Sequence, residues 1–165
     1  MWYRILQCVM ISVLMVGLFG CNTMSEPSET KEAPAQAVSL SDLPEPARVT
    51  IGRLTDGGEI TKLEKEEVDG EIIYDVEAKM KDKEVEYDVA ADGTVLSSEE
   101  TIPYASLPAA VRTAVRKYFD TDTALKSSKE IEGGKTYYEV EGKKGGSMVE
   151  LKLSETGEIL EEETG

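Results

Sequence analysis

Histidine is absent from all 165 residues, and the two cysteines, Cys8 and Cys21, both lie near the amino terminus. Without histidine the chain lacks the commonest general base, the usual zinc ligand and every Ser-His or Cys-His nucleophile arrangement. Most hydrolase chemistry is thereby excluded, and the chain reads as a non-enzyme with no cofactor. No cysteine follows residue 21, so no disulfide framework is available to the rest of the chain. Positive charge is also scarce: 18 Lys and Arg face 33 Asp and Glu, a net charge of −15. Residues 1–20 contain Arg4 and no acid, so a form beginning at Cys21 carries −16 on its side chains. A polyanion repels phosphate backbones and anionic headgroups, which argues against nucleic acid as a partner. The acid surplus itself reads as solvated strand faces.

The one long apolar run spans Ile5 to Phe19, behind the basic residue Arg4. It suits a secretory signal better than a bilayer span, which needs about 20 residues. Leu18-Phe19-Gly20-Cys21 resembles the bacterial lipobox, with Phe19 bulkier than the residue usual at its position. Residues 1–20 are therefore expected to be a lipoprotein signal peptide, and Cys21 the site of lipid attachment to a membrane. Residues 21–39, rich in Ser, Thr, Glu, Pro and Ala, read as a disordered tether.

Offset by 64 residues, the chain aligns Leu43–Glu99 with Leu107–Glu163 without a gap and with 17 identities. These include Leu43/Leu107, Pro44/Pro108, Gly70/Gly134, Tyr74/Tyr138, Val76/Val140 and Gly93/Gly157. A long period present twice predicts a duplicated domain rather than a solenoid. The expected fold is α+β, a tandem αββββ-αββββ duplication over residues 40–100 and 104–164. In the second copy Ser106 is the expected N-cap, and Leu107, Val111, Ala114, Val115, Tyr118 and Phe119 share one helical face. In the first, Pro46 and Gly52 predict a shorter or less stable helix.

Strand periodicity follows each helix. Tyr74, Val76 and Ala78 alternate with Ile73, Asp75 and Glu77, and Val85, Tyr87 and Val89 alternate with Glu84, Glu86 and Asp88. Asp69-Gly70, Gly133-Gly134 and Asp92-Gly93 supply the positive φ of tight hairpins, and Lys81-Asp82 and Gly145-Gly146 mark other reversals. The first strand of each copy, near residues 60–68 and 124–131, is weakly patterned. The economical packing lays Val111, Val115, Tyr118 and Phe119 across Tyr138, Val140, Leu151 and Leu153. Each unit, at about 60 residues, is small for its own core. The copies are thus expected either to pack together or to share a sheet.

The helix opening Leu107-Pro108-Ala109-Ala110-Val111-Arg112, with Val85-Glu86-Tyr87-Asp88-Val89 and Asp92-Gly93-Thr94-Val95-Leu96, resembles the PepSY-like family of exported bacterial domains. Members are likened in fold to β-lactamase inhibitory protein, which grips an enzyme with a sheet surface. The resemblance implies binding or inhibition and carries over no functional residue, because the matching positions are core and turn residues.

The candidate contact surface is the face opposite the helices. Ile73 and Tyr137 place apolar side chains among the charges there, flanked by Glu77, Glu141, Glu86 and Glu150. Paired carboxylates at strand spacing on a solvated face offer no raised pKa for acid–base work. Asp120-Thr121-Asp122 lacks the ligand spacing of a dedicated Ca²⁺ loop, so no metal site is expected. Gly145-Gly146 lacks the context of a phosphate loop. The leading expectation is a membrane-tethered, inhibitor-like binding module facing the periplasm or exterior, its partner another envelope protein such as a peptidase. An acidic cation or small-ligand sensor and a passive structural lipoprotein are the alternatives, and the oligomeric state stays open.

Overall fold

The computed structural model describes residues 33–119 and 125–165. The apolar signal, Cys21, the tether up to residue 32 and Asp120-Thr121-Asp122 lie outside the described residues. In chain order the elements are β1 (Ala33–Ala37), α1 (Glu45–Leu54), β2 (Glu59–Val68), β3 (Glu71–Lys79), β4 (Glu84–Ala90) and β5 (Val95–Thr101). After these come α2 (Ala109–Tyr118), β6 (Lys126–Glu132), β7 (Lys135–Lys144), β8 (Ser147–Ser154) and β9 (Ile159–Thr164). Single 3₁₀ turns at Leu40–Asp42 and Tyr104–Ser106 precede the two helices.

The nine strands among the described residues form one antiparallel sheet in sequential order, β1 to β9. This corrects the expectation of a tandem αββββ duplication. The strands are not divided between two units, because β5 pairs with β6, Ser97–Thr101 running against Ser128–Glu132. Two separate meanders would each leave an extra raw edge of unpaired N–H and C=O groups, and joining them removes two such edges at once. A further strand lies outside the expected scheme. Ala33–Ala37, inside the segment read as disordered tether, pair with β2 opposite Glu64 to Glu67. Backbone hydrogen bonding at a sheet edge needs no aliphatic side chains, so a composition without them does not preclude a strand.

The hairpins form where paired positive-φ residues allow them. Asp69-Gly70, Gly133-Gly134 and Gly145-Gly146 all have φ between 53° and 92° at both positions, the geometry whose twist matches that of flanking strands. Gly93 and Gly157 do more than turn. A Cβ on Gly93 would stand 2.8 Å from the Pro46 carbonyl oxygen, and one on Gly157 would stand 2.7 Å from that of Ala110. Each of these turns thus presses on the first turn of a helix.

The helices are equally long, ten residues each, so of the shorter or less stable first helix expected, the shortening is not seen. Pro46 sits in the first turn, where its missing N–H costs no helical bond, and Gly52 borders open space. The N-caps are Pro44 and Pro108 rather than Ser106, which closes a 3₁₀ turn instead. Arg112 fastens that entry by donating to the carbonyls of Ala105 and Leu107 at 2.7 and 2.8 Å.

Two apolar clusters hold the helices to the sheet. Val111, Val115 and Phe119 of the α2 segment pack with Leu107 on Tyr138, Val140, Leu151 and Leu153. Ala47 and Ile51 of α1 pack with Leu43 on Leu63, Tyr74, Val76 and Val89. The register carries one row of side chains through Val76, Tyr87, Ser98, Ile131 and Thr136. Both helices therefore cover the same face, and among the described residues the other face of the sheet carries no helix.

Candidate binding face

The uncovered face is built by strand alternation. With Tyr74 and Val76 buried under α1 and Ala78 buried on the same side, the intervening Ile73, Asp75 and Glu77 must point the other way. The same parity puts Glu84, Glu86 and Asp88 of β4, Glu139 and Glu141 of β7, and Glu150 and Lys152 of β8 on that face. Register then stacks like charges. Glu77, Glu86, Glu99 and Glu130 stand directly opposite one another across four strands, and Glu141 stands opposite Glu150. Such like-charge opposition is destabilising.

The face is concave. A cleft of about 280 Å³ is lined by Thr61 of β2, Glu77 and Lys79 of β3, Glu86 of β4, Glu99 of β5, Lys126 of β6, and Glu141 and Glu150 of β7 and β8. Strands β2 and β8 lie six places apart, roughly 29 Å across a flat sheet at the usual strand spacing. They border one small cleft only because the sheet curls toward this side. The electrostatics agree: burial pushes the Glu150 carboxyl upward, a hydrogen bond with Glu139 opposes this, and the charges of Glu99, Glu141 and Glu163 add to the rise.

Of the residues singled out from the sequence, Glu77, Glu86, Glu141 and Glu150 line this one cleft. Ile73 and Tyr137 lie on the same face outside it, and both are half-buried. Ile73 sits between Glu66 and Ala90 on the neighbouring strands. The Tyr137 ring carries the Lys152 ammonium 4.8 Å from its centroid, so one side of the ring is already engaged. Cys21 lies outside the described residues.

Sequence reasoning missed two charged centres on this face. Glu130 is 0% exposed and is paired at 2.6 Å with Lys152, whose side chain is 19% exposed. Burial works against the Lys152 charge, but the hydrogen bond from its ammonium to Glu130 and the fields of Glu130, Glu139 and Glu132 hold its pKa above the ordinary value. At the other end, Lys62 reaches Asp75 at 2.7 Å, Glu64 at 3.2 Å and Glu77 at 3.5 Å. Burial and the charges of Asp75 and Asp88 raise the Glu66 carboxyl. Carboxyl oxygens of Glu64, Glu66 and Asp75 come within 4.8 Å of one another, but the Lys62 ammonium already supplies positive charge to two of the three. A period-two strand pattern predicts which face a carboxylate occupies and not whether curvature buries it, so raised carboxyls here contradict the solvated face expected.

Chemically the arrangement offers a concave surface rich in carboxylates. No family model matches the chain, and no curated protein matches it. Solved structures do. A BLIP-like protein from Bacteroides fragilis NCTC 9343 superimposes with a TM-score of 0.54 at 20% identity, over 74% of this chain and 86% of that one. A protein described as a candidate periplasmic one from Bacteroides eggerthii DSM 20697 gives a TM-score of 0.57 at 11% identity, over 74% and 88% of the two chains. This chain has a BLIP-like fold.

Proposed function

We propose that the chain is a non-enzymatic binding module of the bacterial cell envelope that docks another envelope protein on the concave face of its sheet. The observation that carries this reading is the convergence of Glu77 and Glu86 with Glu141 and Glu150 on a single cleft. Opposed carboxylates cost the free chain stability, and a partner's cationic side chains relieve that cost on docking. The BLIP-like neighbour and the candidate periplasmic neighbour support an inhibitor-like role and an envelope location. A peptidase is one partner of fitting type, in keeping with the PepSY-like helix opening. In this reading residues 1–20 direct export, Cys21 carries the lipid, and the chain from there to residue 32 spaces the fold from the membrane. Replacing Cys21 by Ala should then abolish metabolic labelling with palmitate.

The test is capture from detergent-solubilised envelope with the full chain as bait. A partner held by the native chain, weakened by Ile73→Asp with Tyr137→Asp and lost on Glu86→Lys with Glu150→Lys, supports docking on this face. No enrichment over a linker-only control rejects it. Stoichiometric, saturable Ca²⁺ binding in physiological salt, with no protein partner, would replace this reading with that of a cation sensor, because diffuse counterion attraction is screened away at that salt.

A further inference from the structure

The two ends of the sheet are finished differently. At one end β1 is short, carries Pro34 and breaks register between Ala33 and Gln36. Proline and irregular register both blunt an edge against further pairing. At the other end β9 contains no proline, and Glu161 to Thr164 keep regular register with Lys152 to Val149. All six β9 residues are exposed. Among the described residues no strand pairs with its outer side.

The geometry of that edge is specific. The Gly165 N–H donates to the Met148 carbonyl at 3.0 Å, so by alternation the backbone groups of Thr164 and Glu162 point away from β8. Beside the edge lies an open groove of about 660 Å³ between α2 and β9, lined by Ala110, Thr113, Ala114, Lys117, Tyr118 and Ile159. The groove is bordered by Ile159, which is an exposed large apolar side chain, as is Leu160 next to it on β9. On the concave side the edge presents Glu161 and Glu163, opposite Lys152 and Glu150.

We propose that β9 accepts an extended segment of a partner protein as a tenth strand, with apolar side chains of that segment entering the α2 groove and alternate lysine or arginine side chains meeting Glu161 and Glu163. Period-two alternation sends one row of such a segment toward the helix side of the edge, where Ile159, Glu162 and Thr164 lie, and the other, cationic row toward the concave face. A second copy of this chain is the wrong occupant, since pairing β9 with β9 sets glutamates against glutamates in a molecule of net charge −15. This site is separate from the concave cleft and stands whether or not that cleft binds a partner.

The probe is a synthetic octapeptide alternating valine and lysine, titrated into the full chain in non-ionic detergent at physiological salt and followed by amide NMR. Saturable binding should slow exchange of the Glu162 and Thr164 amides. Thr164→Pro, which removes one outward donor, and Thr113→Trp, which fills the groove, should each weaken binding about tenfold with all charges kept. Glu161→Lys with Glu163→Lys should weaken it further. The proposal is overturned if those two amides are unaffected, if the charge variant alone responds, or if the perturbed residues are those of the concave cleft. That last outcome would leave the docking reading of the cleft standing.

Discussion

The half of the sheet under α1 and the half under α2 use a lysine in the same way but at different depths. Lys62 bridges Glu64, Asp75 and Glu77, whose side chains keep 27%, 15% and 45% of their exposure. Lys152 meets a Glu130 that has none. The lesson is that an ion pair's weight depends on how far curvature has removed it from water. A pair open to solvent is worth little, whereas a buried charge is costly once its partner is gone.

Replacing each lysine by an uncharged side chain separates the two ion pairs most clearly. Lys152→Met should cost about 3–5 kcal/mol, because it takes the ammonium away from a fully buried Glu130 carboxylate, whereas Lys62→Met should cost about 1 kcal/mol or less. Equal losses in urea melts would refute the difference in depth. The Lys152 ammonium, held above its ordinary 10.5, should also show itself in alkali. Its contribution is complete below 10.5 and disappears as pH climbs through the raised value.

Next in size is a test of whether the halves unfold together. Leu151→Ala, in the α2 cluster, should cost about 2–5 kcal/mol through lost burial and the cavity left behind, and should shift one shared transition, since β5 and β6 join the halves in one ladder. A melt in which only the signals of the α2 half move would show the ladder too weak to couple them.

Smaller effects are expected at the turns that press on the helices. Gly93→Ala and Gly157→Ala should each cost about 1–3 kcal/mol, since both combine positive φ with a Cβ placed against a helix carbonyl. Similar losses would show that the turns dock α1 and α2 alike. The smallest change, and one of opposite sign, is expected from Glu150→Gln. In the folded chain the Glu150 carboxyl holds its proton more tightly than its ordinary value of 4.5, so its ionisation lowers stability as pH rises from there upward. The variant should therefore be slightly more stable than the native chain at neutral pH and indistinguishable from it well below 4.5.

Much of this could be read in the chain before any coordinates. The alternation through Tyr74, Val76 and Ala78, the glycine pairs of the hairpins, and the stripe from Val111 to Phe119 all announce local geometry. So did the facing of Glu77, Glu86, Glu141 and Glu150. The separation into two units was misread, because nothing local to Ser97–Thr101 or Ser128–Glu132 says which strand will be its neighbour. The strand at Ala33–Ala37 was misread for a related reason: its pairing is with β2, about thirty residues away, and its own side chains contribute little. Glu130 escaped notice since its spacing is that of any exposed strand glutamate.

What the sequence determined by itself was periodicity, turn chemistry and charge, all properties of neighbours along the chain. Which strands became neighbours, how far the sheet curled, which carboxylates left water and which edge stayed open were settled only in three dimensions. Those outcomes depend on backbone pairing between distant segments and on burial, and both follow from where the whole chain packs rather than from any stretch of it.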